Sequence, residues 1–273
     1  MEGLGALERR LRIALAEGSL LLRYQPVVAL ASGEVEELRA MLRWPGGGGI
    51  TPEQLIDIAR FAGVLPELHR WILRTACAEG VRWGKDGVAA AVGVTVGSEQ
   101  ILDGTVPTDV ADALDSSGLP CRLLHVGLPV SALAVLAEPA ALLADLGRLG
   151  VSVGVVGVRG WPLPDRLRPT TIDWLGLDRN LVEALAELPV SRAARASVIA
   201  LVADHRARTV AAGVETDREL SCVEILGVTH ALGYRFAPPT AAPELGGLLR
   251  RMQGEGSGRD GSFGSGQFRG TRP

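Results

Sequence analysis

The chain of 273 residues has three cysteines, Cys77, Cys121 and Cys222. They lie far apart, and no CxxC or Cys/His spacing accompanies them. That excludes a disulfide framework and argues against a zinc site. They read as reduced core thiols of a cytoplasmic protein. Aromatic residues make up only 4% of the chain. An excess of either sign of charge is also lacking: the formal net charge is -3, so no global basic field draws nucleic acid to the surface, and no nucleic-acid partner is expected. The N-terminal stretch MEGLGALERRLRIALAEG carries charges throughout and no long apolar run. Neither a signal peptide nor insertion into a membrane is expected from it. No GxGxxG follows the first apolar run and no GxxxxGK[ST] occurs anywhere, which speaks against an ordinary nucleotide-binding sheet.

Aliphatic residues are what the chain has in abundance. At 47% hydrophobic and 22% charged it can bury one large core. Leu4, Leu7, Leu11, Ile13, Ala14 and Leu15 lie on or near one helical face over 4–17. Leu21 to Leu30 reads as a strand, Ala31-Ser32-Gly33 as a turn, and Val35 to Trp44 as the strand that pairs back. Thr51-Pro52-Glu53-Gln54 has the pattern of a capping box with proline in the first helical turn. A long helix follows Pro66. Short apolar runs then alternate with helical stretches: strands over 89–96, 123–128, 151–156, 173–177, 209–212 and 229–232, with helices over 110–114, 132–149, 192–205, 216–226 and 243–252. A helix beginning near Asn180 would have Asp178 as its cap. This alternation predicts a parallel sheet. The number of units and the length favour a closed (β/α)8 TIM-like barrel over an open sheet, with residues 1–252 as one domain. Residues 253–273 are rich in Gly and Ser and nearly free of aliphatic side chains, which predicts a disordered tail.

Several segments, in order along the chain, resemble the EAL-domain family. Tyr24-Gln25-Pro26-Val27-Val28 is similar to its YQPIV strand, and Leu42-Arg43-Trp44 to the end of its EALLRW motif. Trp71 to Cys77 is similar to its WVLRTAC helix, Leu177-Asp178-Arg179 to KIDRSFV, Gly213 to Thr216 to EGVET, and Gly233-Tyr234 with Phe236 to QGYLF. The resemblance implies a barrel with one antiparallel strand and a site at the carboxyl ends of the strands. It also implies descent from enzymes that cut cyclic di-GMP with Mg²⁺ or Mn²⁺. In those enzymes the cations sit on the Glu of EAL, the Asn of VNxS, the Glu of LEITES and the Asp pair of DDFGTG. A Lys before IDR and the first Glu of EGVET assist the water.

Carried over one at a time, these positions hold Arg39, Thr95, Gly127, Val156, Gly157, Gly176 and Ala212. None is a carboxylate, and Arg39 is a permanent cation where a cation should bind. A two-metal phosphodiesterase needs carboxylate oxygens. The sequence therefore predicts no catalytic residues, no metal and no cofactor. Asp165, Asp173 and Glu215 are nearby acids whose spacing suggests no replacement site. Gln25, Arg43, Arg39 and Arg235 are the candidate ligand-binding residues, and Arg159 would add to a basic mouth. Arg43 is similar to the arginine that touches the nucleotide phosphate in active members, and it could equally pair with a structural acid. The arginines that have appeared could equally be neutral substitutions. Three readings follow: an inactive barrel that acts on a protein partner not identifiable from sequence, a metal-independent receptor for cyclic di-GMP, and, last, a residual phosphodiesterase.

Overall fold

The computed structural model describes residues 4–160, 172–187, 192–204 and 207–256. Eight strands close into a ring: β1 (Leu21–Ala29), β2 (Val35–Arg43), β3 (Ala91–Thr95), β4 (Leu124–Pro129), β5 (Ser152–Val158), β6 (Trp174–Leu177), β7 (Arg208–Ala212) and β8 (His230–Leu232). A two-residue strand, β9 (Thr240–Ala241), adds to the edge of β1. β2 through β8 run parallel, while β1 is antiparallel to both of its ring neighbours, β2 and β8. The expected barrel with one reversed strand is thus present. The cause is local. The β1–β2 connection is a tight turn closed by Gly33 N–H donating to the Ala29 carbonyl at 2.8 Å, with Gly33 at φ 75°. So short a link allows only an antiparallel pair, because parallel strands need a crossover.

Helices α1 (Leu4–Glu17), α2 (Pro52–Phe61), α3 (Leu65–Lys85), α4 (Ser98–Leu102), α5 (Val106–Ser117), α6 (Val130–Val135), α7 (Pro139–Arg148), α8 (Arg179–Ala186), α9 (Arg192–Asp204), α10 (Asp217–Ile225) and α11 (Leu245–Gly256) cover the ring. Both capping boxes form. Thr51 Oγ1 accepts from Gln54 N–H, Thr216 Oγ1 accepts from Glu219 N–H, and the third-position side chains reach back in return. Asp178 caps α8 by accepting from Asn180 N–H at 3.0 Å. The single helix expected over 132–149 is instead two. Leu136 is extended at ψ 138° and α7 restarts with Pro139 at its first position. Proline inside a helix loses a hydrogen bond and clashes with the preceding turn, at about 3 kcal/mol, so the chain breaks there. Helix α11 runs four residues past Met252, to Gly256. The rest of the expected tail lies outside the described residues.

The main core lies between strands and helices. It is built from side chains such as Leu38, Leu68, Val92, Leu124, Val126 and Leu175, all at most 1% exposed. Tyr24 also points outward, edge-on to Trp83 and donating to Glu79 at 2.5 Å. Cys77 and Cys222 are buried, Cys121 is exposed, and all three are free. Among the described residues no helix is long and apolar enough to cross a membrane.

Candidate functional site

A second, separate cluster fills the inside of the ring: Val27, Trp174, Val210 and Leu232, with Met41, Val156 and Ala212 against it. Strand alternation decides its membership. Residues 37, 39 and 41 of β2 share one face, and Gln25 stands directly opposite Arg39 in the antiparallel pair, so its side chain shares that face. The Arg39 guanidinium lies 4.7 Å from the centre of the Trp174 ring. β2 and β6 are four strands apart in the ring, so this contact passes through the lumen. Trp174 has room because its neighbours lack side chains. A Cβ on Gly154 would fall 2.1 Å from the indole, one on Gly127 3.0 Å, and one on Gly176 3.5 Å.

The Cβ position of Gly127 also lies 3.0 Å from Val156 Cγ1 and 3.2 Å from Thr95 Oγ1, and that of Gly176 lies 3.2 Å from Val156 Cγ1. Thr95, Gly127, Val156 and Gly176 therefore converge, with Ala212 and Arg39 in the same lumen. Gly157 does not join them. It sits at φ 76°, with its Cβ position opening toward Val130.

Arg39 is 8% exposed, and its charge is met inside the barrel. Its Nε donates to Glu37 Oε1 at 2.8 Å, and Nη2 lies 2.7 Å from the same oxygen. The other Glu37 oxygen is 2.8 Å from His125 Nδ1. Gly93 leaves the space for this carboxylate, since a Cβ there would meet Glu37 Oε1 at 2.1 Å. Burial pushes the Glu37 carboxyl up, but the Arg39 charge and the His125 hydrogen bond outweigh it and hold it at about 2.

The other candidate residues have partners of their own. Gln25 is buried and donates from Nε2 to the Ala237 carbonyl at 3.0 Å. Arg235 donates from Nε to Asp217 Oδ1 at 2.5 Å. Arg159, three-quarters exposed, has its Nε 3.6 Å from Asp178 Oδ2. Each arginine expected to make the mouth basic thus has a carboxylate beside it. Arg43 is half-buried at the end of β2, and its Nη1 donates to the Leu42 carbonyl at 2.9 Å. The structural acid that was the alternative partner for Arg43 is absent among the described residues. Glu215 pairs with Arg179 at 2.7 Å, and Asp173 Oδ2 accepts from Val153 N–H at 2.7 Å. Asp165 lies outside the described residues.

These side chains do not fit a divalent cation. Mg²⁺ and Mn²⁺ require several oxygen donors, mostly anionic. The ring of converging positions offers one neutral hydroxyl, on Thr95, and a guanidinium that repels a cation. Both Glu37 oxygens are already engaged. Among the described residues no group of three or more His, Cys, Asp or Glu could hold a metal.

Sequence reasoning missed Glu37 and Trp174 as the partners of Arg39, and His125 as the second partner of Glu37. Period-two alternation was the available signal. Glu37 stands two residues before Arg39 and Trp174 two before Gly176, so each shares its neighbour's face. That the faces meet across the lumen follows only from closure of the ring.

Comparison with known proteins matches the EAL domain model to residues 8–239. The cyclic di-GMP phosphodiesterase NbdA of Pseudomonas aeruginosa is 30% identical over 89% of this chain. The cyclic di-GMP phosphodiesterase PdeR of Escherichia coli is 28% identical over 86%. This chain spans 32% and 36% of those two relatives' own lengths. Among solved structures, the MucR phosphodiesterase in complex with cyclic di-GMP superposes with a TM-score of 0.80 at 28% identity, covering 88% of this chain and 99% of that one.

Proposed function

Given that the chain belongs to the EAL domain family, we propose that it is a catalytically inactive member, a cytoplasmic module that acts through contact with another protein in a cyclic di-GMP circuit. One observation carries this reading. Of the positions that the resemblance assigns to metal binding or water activation, Thr95, Gly127, Val156, Gly176 and Ala212 converge in the lumen without a single carboxylate, and Arg39 lies over Trp174 beside them. Water attack on a phosphodiester needs a metal-bound or base-activated nucleophile and stabilisation of the charge that develops. Neither is supplied by Thr95, Gly127, Val156, Gly176 or Ala212.

The test is incubation with cyclic di-GMP and Mn²⁺ or Mg²⁺, with chromatography of the products. No linear dinucleotide is expected. Linear product that disappears on adding EDTA would overturn the assignment. Crosslinking followed by pull-down should recover a protein partner.

A second reading, metal-independent binding of cyclic di-GMP, draws support from Arg43. It stands at the barrel mouth with a backbone carbonyl as its hydrogen-bond acceptor and no carboxylate pair. A guanidinium so placed can fork onto a phosphate. In that case calorimetry in EDTA detects binding, and Arg43→Ala weakens it by about 1.5–3 kcal/mol. Equal affinity in that variant would remove Arg43 from the site.

A further inference from the structure

Outside the barrel, α1 and α3 enclose a cleft of about 350 Å³, a size that suits a small molecule. Its lining includes three arginines, Arg12, Arg70 and Arg74, together with Trp71 and a single carboxylate, Glu67. Arg12 donates to the Ala62 carbonyl. Among the described residues none of the three guanidiniums pairs with an acid. Other arginines of the chain do meet acids: Arg39 with Glu37, Arg60 with Asp57 and Glu99, Arg179 with Glu215, and Arg208 with Glu36. Acids also outnumber bases over the whole chain, 31 to 28. These three cations around one concavity have no acid partner, and a bound anion would relieve their mutual repulsion.

We propose that this cleft is a second ligand site, for a nucleoside polyphosphate. The guanidinium forks match phosphate oxygens in geometry and charge. The half-buried indole of Trp71 gives the cleft an aromatic wall on which a base can stack. The site lies in the helix layer, apart from the mouth, and it does not depend on whether the barrel is inactive.

Calorimetric titration of the full chain with GTP, with inorganic triphosphate and with guanosine tests it. GTP should bind once per chain, and more weakly as salt rises from about 50 to about 300 mM. Arg70→Glu with Arg74→Glu should weaken binding at least tenfold, and Arg70→Gln with Arg74→Gln should do so to a smaller degree. Arg122→Glu, an exposed arginine elsewhere, should leave it unchanged. Absence of GTP binding to the unaltered chain, or equal affinity in the doubly substituted chains, would overturn the site. Inorganic triphosphate binding as tightly as GTP would overturn the role of Trp71 and with it the nucleoside.

Discussion

Replacing Glu37 by Gln should destabilise the protein by about 3–5 kcal/mol, the loss typical of breaking one side of a buried ion pair. Both oxygens of Glu37 are engaged, with Arg39 Nε and His125 Nδ1 each at 2.8 Å, and the residue is 3% exposed. Glutamine keeps the shape and removes the charge. The Arg39 guanidinium cannot lose its proton, so it would remain a buried cation beside Trp174 without a counterion. Titration leads to the same size of effect by a separate route. The Glu37 carboxyl is lowered from 4.5 to about 2 in the folded chain. A depressed carboxylate stabilises the fold fully above its unfolded value of 4.5, and that contribution is lost as pH falls toward 2. A displacement of this size corresponds to about 3 kcal/mol. Urea unfolding at neutral pH is the assay. With a slope of roughly 2–3 kcal/mol/M, the midpoint should drop by roughly 1–2 M. The unaltered protein and the Glu37→Gln variant should converge in stability as pH falls from 4.5 toward 2. Adding Arg39→Met to Glu37→Gln should recover most of the loss, because the stranded charge is gone. A single variant that loses less than about 1 kcal/mol, or a double variant that loses more than the single, would refute the lumen ion pair.

Restoring carboxylates alone should not restore a metal site. Arg39→Glu, Gly127→Glu, Val156→Asp and Gly157→Asp together are expected to bind no Mn²⁺ by calorimetry while Trp174 remains, because the Cβ position of Gly127 sits 3.0 Å from its ring. Tight Mn²⁺ binding by that variant would show that the indole yields. Gly154→Ala should destabilise by about 1–3 kcal/mol in thermal or urea unfolding, since its Cβ would fall 2.1 Å from Trp174, and a neutral result would mean a loosely packed lumen. Thr51→Ala, which removes one half of a capping box, should lose about 1 kcal/mol by the same measurement.

Much of the barrel was legible in local pattern. Thr51 and Gln54, Thr216 and Glu219, and Asp178 before α8 are short-range signals, and each forms the cap its spacing implies. The reversed first strand followed from the Ala31-Ser32-Gly33 turn. The split between α6 and α7 was signalled by Pro139 but masked by the apolar periodicity on either side of it. The short helix α4 gave no such signal, since five residues are too few for periodicity to show.

The candidate site divides differently. That Arg39, Thr95, Gly127, Val156, Gly176 and Ala212 include no carboxylate is a property of the sequence, and no folding could change it. What those residues do instead was decided by tertiary structure. Closing the ring brings β2 and β6 face to face across the lumen, residues 135 positions apart in the chain, and sets Arg39 on Trp174, while His125 reaches Glu37 from β4. Alternation along a strand tells which side chains share a face. Which faces meet across the lumen depends on contacts distant in sequence, and only the closed barrel fixes those.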